Sequence, residues 1–179
     1  SSLNPRMTVR DIIAEPLEAL KLTRSKAETD ARVTEIAQLC QLEVAHLRRF
    51  PHAFSGGQRQ RIGIARALVC RPSFIVADEA VAALDVTIQG EILNLFKKLQ
   101  QELNLTILFI SHDLSVVANL CDWVCVMREG RLVEQGSVAQ IFTQAKEPYT
   151  QNLIRSIPIL RRDNQGHSQV GMALELEQA

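Results

Sequence analysis

Apolar positions recur every three to four residues along most of this chain, and two solid apolar runs interrupt them. Val33, Ile36, Ala37 and Cys40 fall on one stripe of a helix that Ser25 opens, with Glu28 completing a capping-box pattern. Thr8 and Asp11 repeat that pattern upstream, and Pro16 either limits the first helix or marks the start of another. Residues 8 to about 50 therefore read as a small, mostly helical subdomain, which Pro51 ends. Ser55 then caps a helix to about Val69, with Ile62, Ala65 and Val69 inward.

The solid runs, 74–77 and 106–110, have the pattern of buried parallel strands. Between them Asp85 can cap a helix carrying Ile88, Ile92, Leu95, Phe96, Leu99 and Leu103 at helical spacing. Residues 122–127 and 131–135, joined around Gly130, read as a β-hairpin. Ser137 and Gln140 form another capping box, and 149–157 reads as a last helix. Strand, helix, strand, helix, hairpin is an α/β order, with parallel strands and crossover helices. The polar residues 163–179 are expected to be flexible. No internal repeat is visible.

At 179 residues and 46% apolar content, one domain with a real core is expected. Twenty basic residues balance twenty acidic ones, which leaves no electrostatic case for a nucleic-acid partner or anionic lipid. The apolar runs are far shorter than a membrane span. The opening SSLNPRMTV lacks both an initiator Met and a signal-peptide pattern, so a cytosolic protein is expected. Cys40, Cys70, Cys121 and Cys125 form no CxxC pair and no zinc-type cluster, and are expected to be buried, reduced thiols.

The chemistry concentrates in a few short segments. Ser55-Gly56-Gly57-Gln58 opens a helix, whose first turn offers unpaired N–H groups and positive partial charge. Two glycines keep the approach of a phosphate clear, and Ser55 adds a hydroxyl donor. Asp78 ends an apolar strand, where α/β proteins place ligands, and suits Mg²⁺. Glu79 is adjacent and can address a water beyond the metal. His112 follows the second strand and brings an imidazole to a strand end. Singly, these are an N-cap, a solvated acidic turn and a structural histidine; their combination in this order is what points to nucleotide chemistry. His46, His52 and His167 carry no such pattern.

FSGGQRQRIGIARAL resembles the signature motif and following helix of the ATP-binding-cassette (ABC) family. FIVADE resembles its Walker B strand, AALD its D-loop and ISHD its switch-histidine segment. The resemblance implies the C-terminal part of an ABC ATPase domain over residues 1–145: the helical subdomain plus a partial RecA-like parallel sheet core, with the signature-to-switch region at 54–113. It implies ATP and Mg²⁺ as cofactors, with Asp78 on the metal. Glu79 would act as the general base, worth on the order of 10²–10⁴ in rate, and His112 would contact the terminal phosphate. Ser55, Gly56, Gly57 and Gln58 would bind nucleotide in trans, held by a second ATPase subunit, with Asp85 at the dimer interface.

The pattern also departs from the family. No GxxxxGK[ST] phosphate loop occurs, Ala82 replaces a common Ser, and Thr87 keeps a hydroxyl where Ser is usual. SSLNPRMTV resembles the segment just after the Q-loop, so the phosphate loop, the base-stacking aromatic and the Q-loop Gln would precede Ser1. The chain alone is then expected to bind Mg-ATP weakly, to hydrolyse it negligibly and to expose an apolar strand edge. EPYTQNLIRSIP, within 146–160, resembles the segment after the cassette in oligopeptide, dipeptide and nickel importer ATPases. Such subunits sit peripherally on the cytoplasmic side of the inner membrane. They are docked on permease subunits through the helical subdomain and supplied indirectly by a solute-binding protein. The Cys-containing extension often found there is absent, and 161–179 reads as an unrelated tail. Two other readings stand beside the importer ATPase. One is an interaction module that lends its signature to a complete cassette. The other is a soluble ABC protein of repair or translation, which the neutral charge and the EPYT segment oppose.

Overall fold

Thr8 fixes the start of the first helix, α1 (Val9–Ala19), because its hydroxyl oxygen accepts the Asp11 N–H at 3.2 Å. The structure, a computed structural model, describes residues 3–162 and 168–172. It divides into two units, Ser1–Ile110 and Ser111–Ala179.

In the first unit α1 is followed by α2 (Lys26–Leu39), two 3₁₀ turns (Val44–His46 and Pro51–Ala53) and α3 (Gly56–Leu68). Then come β1 (Phe74–Asp78), α4 (Val86–Leu103) and β2 (Thr106–Ile110). Ser25 caps α2 and the stripe Val33, Ile36, Ala37, Cys40 is buried, as its spacing predicts. Pro16 neither ends α1 nor starts a helix; α1 runs through it. An interior proline costs about 3 kcal/mol. Its neighbours Ile12, Ile13 and Leu17 are 0–1% exposed, and each such burial contributes about 1.5–3 kcal/mol, enough to carry the helix onward.

β1 and β2 pair in parallel, Phe74 opposite Thr106 through Asp78 opposite Ile110, with α4 as the crossover. The expectation of strands buried on both faces is not met. Phe74, Val76, Leu108 and Ile110 share one face and are 51%, 55%, 49% and 45% exposed. The opposite face is covered, with Phe109 meeting Phe96 of α4 edge to face at 5.7 Å between ring centroids. One layer covers the sheet among the described residues, and a solid apolar run needs two.

The second unit holds α5 (Leu114–Leu120), the hairpin of β3 (Trp123–Arg128) and β4 (Arg131–Ser137), α6 (Val138–Gln144) and α7 (Pro148–Arg155). Glu129 and Gly130 turn the hairpin at φ 50° and 75°, the left-handed pair that a two-residue turn requires. Ser137 and Gln140 complete their reciprocal cap on α6. Val117, Val124, Val126 and Ile141 form this unit's core. The Glu134 carboxylate accepts the N–H groups of Lys146 and Glu147 at 2.8 and 3.3 Å, anchoring the start of α7 to β4. β5 (Pro158–Arg162) pairs antiparallel with β6 (Ser168–Met172), so paired strand occupies part of the segment expected as a flexible tail. Residues 163–167 and 173–179 of that tail lie outside the described residues.

The cysteines divide differently from the expectation. Cys40 is buried, Cys70 and Cys121 are half-buried, and Cys125 is exposed; all four are free thiols. Cys125 sits on the outward face of β3, since strand residues alternate and Val124 and Val126 take the inward positions.

Candidate functional site

Ser55 stands at the tip of α3 in extended conformation, and its side chain accepts the Gln58 N–H at 3.3 Å. Gln58 answers by accepting the Ser55 N–H at 3.0 Å, which completes a capping box. Below this tip Ile62, Ala65 and Leu68 are 0–1% exposed, so the helix is fixed along its length. The tip itself is open: Ser55, Gly56 and Gln58 are exposed. Gly57 is the exception, buried against α4. A Cβ at Gly57 would lie 2.5 Å from the Ile88 γ2 methyl, whereas one at Gly56 would meet Leu84 at an ordinary 3.4 Å. The sequence reading gave both glycines one purpose, a clear path for phosphate; the structure separates them. Gly56 is open and Gly57 is a close-packing position.

At the end of β1, Asp78 and Glu79 are exposed. Glu79 has left the strand at φ 48°, a left-handed conformation uncommon for a non-glycine residue, while its N–H still donates to the Ile110 carbonyl at 3.0 Å. A tight turn follows. Ala82 N–H donates to the Glu79 carbonyl at 3.2 Å, Leu84 N–H to that of Val81 at 3.1 Å, and Ala80 and Val81 are buried beneath it. Asp85 ends the turn and caps α4, accepting the Ile88 N–H at 3.0 Å. The amide of Gln89 reaches back to the Val81 carbonyl at 3.0 Å. The first unit thus brings Gly56 against Leu84 of the turn that links Glu79 to Asp85, and Gly57 against Ile88 of α4, with Ser55 and Gln58 paired to each other at the same tip. His112 belongs to the second unit, where it is exposed beside Asp113; Asp113 caps α5 and takes its own N–H bond to Ser111.

A family model for ABC transporters matches residues 1–82, and one for the oligopeptide/dipeptide transporter C-terminal region matches 133–179. The oligopeptide transport ATP-binding protein OppF of Streptococcus mutans is 52% identical over 158 residues, covering 88% of this chain and 51% of OppF. The chain belongs to the ABC transporter family. DppF, a dipeptide transport ATP-binding protein of Lactococcus lactis, is also 52% identical, over 88% of this chain and 51% of DppF. The chain spans about half the length of these curated relatives.

Solved ABC structures share its fold. The cbiO1 protein of Clostridium perfringens superposes with a TM-score of 0.68 at 31% identity, over 76% of this chain and 53% of that one. The dimeric bacterial cassette MJ0796 gives 0.65 at 30% identity, over 76% and 59%. The expectation that 161–179 is unrelated to the peptide-importer group is corrected, because the C-terminal family match runs to residue 179.

Among the described residues no group of three or more His, Cys, Asp or Glu could hold a metal ion. Asp78, the expected Mg²⁺ ligand, is an exposed carboxylate at the end of β1, and Mg²⁺ takes one or two protein carboxylates and completes its shell with phosphate and water. A cavity of about 390 Å³ opens between α2 and the far ends of α3 and α4, lined by Arg32, Glu35, Leu68, Arg71 and Leu103 among others. Arg71 and Glu35 already pair there at 2.8 Å. It flanks the end of α3 away from Ser55, roughly 18 Å off along the helix axis. Two features of this ABC chain escaped the sequence reading: the left-handed backbone of Glu79 and the seat of Gly57 on Ile88. A glycine pair opening a helix is a signal of close approach, but it does not name the neighbour.

Proposed function

We propose that this chain supplies the signature, Walker B and switch elements of the ATP-binding subunit of an ABC importer for oligopeptides or dipeptides. The observation that carries the reading is the exposed, Ser55-capped tip of α3 on a helix whose inner face, Ile62, Ile64, Ala65 and Leu68, is buried. Such a tip is a donor surface, complete as a phosphate site only when a second subunit brings its nucleotide to it. Asp78 would hold Mg²⁺, which would supply charge neutralisation to the nucleotide's phosphates. Glu79 polarises the attacking water, His112 hydrogen-bonds the terminal phosphate, and Asp85 lies at the dimer interface. The partners are a second ABC ATPase subunit and the permease, at the cytoplasmic side of the membrane. No helix among the described residues is long and apolar enough to cross a membrane, which fits a peripheral subunit.

The test mixes the chain with a complete oligopeptide-type cassette and measures association by sedimentation with and without Mg-ATP. Association is expected only with nucleotide, and Ser55→Arg is expected to abolish it. Association that ignores Ser55→Arg would remove the trans reading. The chain alone is expected to hydrolyse ATP negligibly, and steady turnover abolished by Glu79→Gln would overturn that.

A further inference from the structure

We propose that Ile88 is a positioning residue for the signature tip, its γ2 methyl setting where α3 begins relative to the D-loop turn. The assignment rests on the trans role of Ser55 proposed above. Gly57 lies buried under Ile88, and a Cβ at Gly57 would come within 2.5 Å of that methyl and 3.9 Å of the Ile88 Cβ. Ordinary contact begins near 3.4 Å, so one added methyl would displace the tip by about 1 Å unless Ile88 gave way.

Ile88 cannot give way cheaply. A β-branched side chain in a helix has one strongly preferred χ1, so the methyl does not swing aside. The backbone beneath it is pinned as well, because Asp85 accepts the Ile88 N–H at 3.0 Å and the Asp85 carbonyl accepts that of Gln89 at 2.8 Å. Leu84 closes the same seam from the turn side, 3.4 Å from a Cβ at Gly56. Asp85, Ile88 and Gly57 thus form one steric chain, and a displacement of the Asp85 turn moves the Ser55 tip with it. Gly63 of α3 and Gly90 of α4 have nothing within 4 Å of an added Cβ, so the tight seat is confined to the tip.

The experiment uses the full chain with a complete oligopeptide-type cassette and reads the ATP concentration giving half-maximal association. Gly57→Ala is expected to raise that concentration roughly 10- to 100-fold, the scale of overpacking a filled seat by one methyl. Adding Ile88→Ala is expected to restore most of the loss, whereas Ile88→Val, which keeps both γ carbons, is expected to restore none. Gly63→Ala on the same helix is expected to behave as the native chain. Ile88→Ala alone opens space without a clash, so it folds, and is expected to weaken association roughly tenfold by loosening the tip.

Loss in Gly57→Ala that Ile88→Ala does not relieve would overturn the proposal, as would native association by Gly57→Ala or by Ile88→Ala alone. Ser55→Arg separates the two levels. If Ser55→Arg still associates, the trans reading fails and this assignment falls with it. If Ser55→Arg blocks association while rescue is absent, the Ile88 assignment alone fails.

Discussion

Arg61 of α3 donates to the Glu91 carboxylate of α4 across 3.1 Å, and its other terminal nitrogen donates to Gln41 beyond the end of α2. One guanidinium therefore ties the signature helix to α4 and to the turn that follows α2, with the Arg61 side chain only 11% exposed. Arg61→Ala removes two hydrogen bonds and the packing of the aliphatic stem, and is expected to cost about 1–2 kcal/mol in urea unfolding. Arg61→Lys is expected to recover little, since an ammonium lacks the planar fork that spans both partners. Unchanged unfolding in Arg61→Ala would show that α3 needs no such tie.

The open face of β1 and β2 makes a second expectation. Four large apolar side chains lie about half exposed on two paired strands, a pattern that binds hydrophobic dyes and promotes self-association. Val76→Thr with Leu108→Thr keeps strand propensity at Val76 and removes apolar surface. Dye fluorescence and the rate of aggregation, measured at equal concentration, should both fall; unchanged values would place the association surface elsewhere.

Acid should act on α7 through Glu134. Hydrogen bonding, first from the Lys146 N–H, holds its carboxyl below the usual carboxylate range. A depressed folded value means the stabilisation is complete above the ordinary value near 4.5 and is lost as pH falls through the lower folded value. Amide exchange in α7 is therefore expected to accelerate as pH is lowered below that range, after correction for intrinsic rates. Glu134→Gln should remove this acid-dependent step, and an identical pH profile in the variant would reject it.

The thiols should separate by rate. Cys40 is buried and its thiol is pushed up to about 12 by burial, despite the nearby Arg61 charge. Cys125 is exposed. Iodoacetamide at neutral pH should modify Cys125 first and Cys40 only on unfolding, because the thiolate is the reactive form. Mass spectrometry showing early Cys40 modification would contradict the burial.

Local chemistry made most elements legible. Thr8, Ser25, Ser55, Asp85 and Ser137 each mark a helix start because a short polar side chain meets the first-turn amides with no help from the rest of the fold. Tertiary packing decided the rest. Pro16 reads as a boundary until Ile12, Ile13 and Leu17 are seen buried around it. An apolar run such as 74–77 states only that a strand prefers cover on both faces, and not whether cover is present. The candidate site followed the same division: motif order is what proposes its residues, while the seat of Gly57 on Ile88 depends on how two helices distant in sequence approach.

Glu79 holds a backbone geometry that glycine or asparagine would adopt at lower cost. Strain of this kind persists where surrounding structure over-determines it, and the Glu79 N–H bond to Ile110 does part of that. Durability and the base role proposed for Glu79 therefore pull against each other at a single position. Glu79→Gly should relax the corner and melt later than Glu79→Gln, even though both remove the same carboxylate. An assay of the proposed role that relied on the glycine variant would thus mix the loss of a carboxylate with a gain in sturdiness.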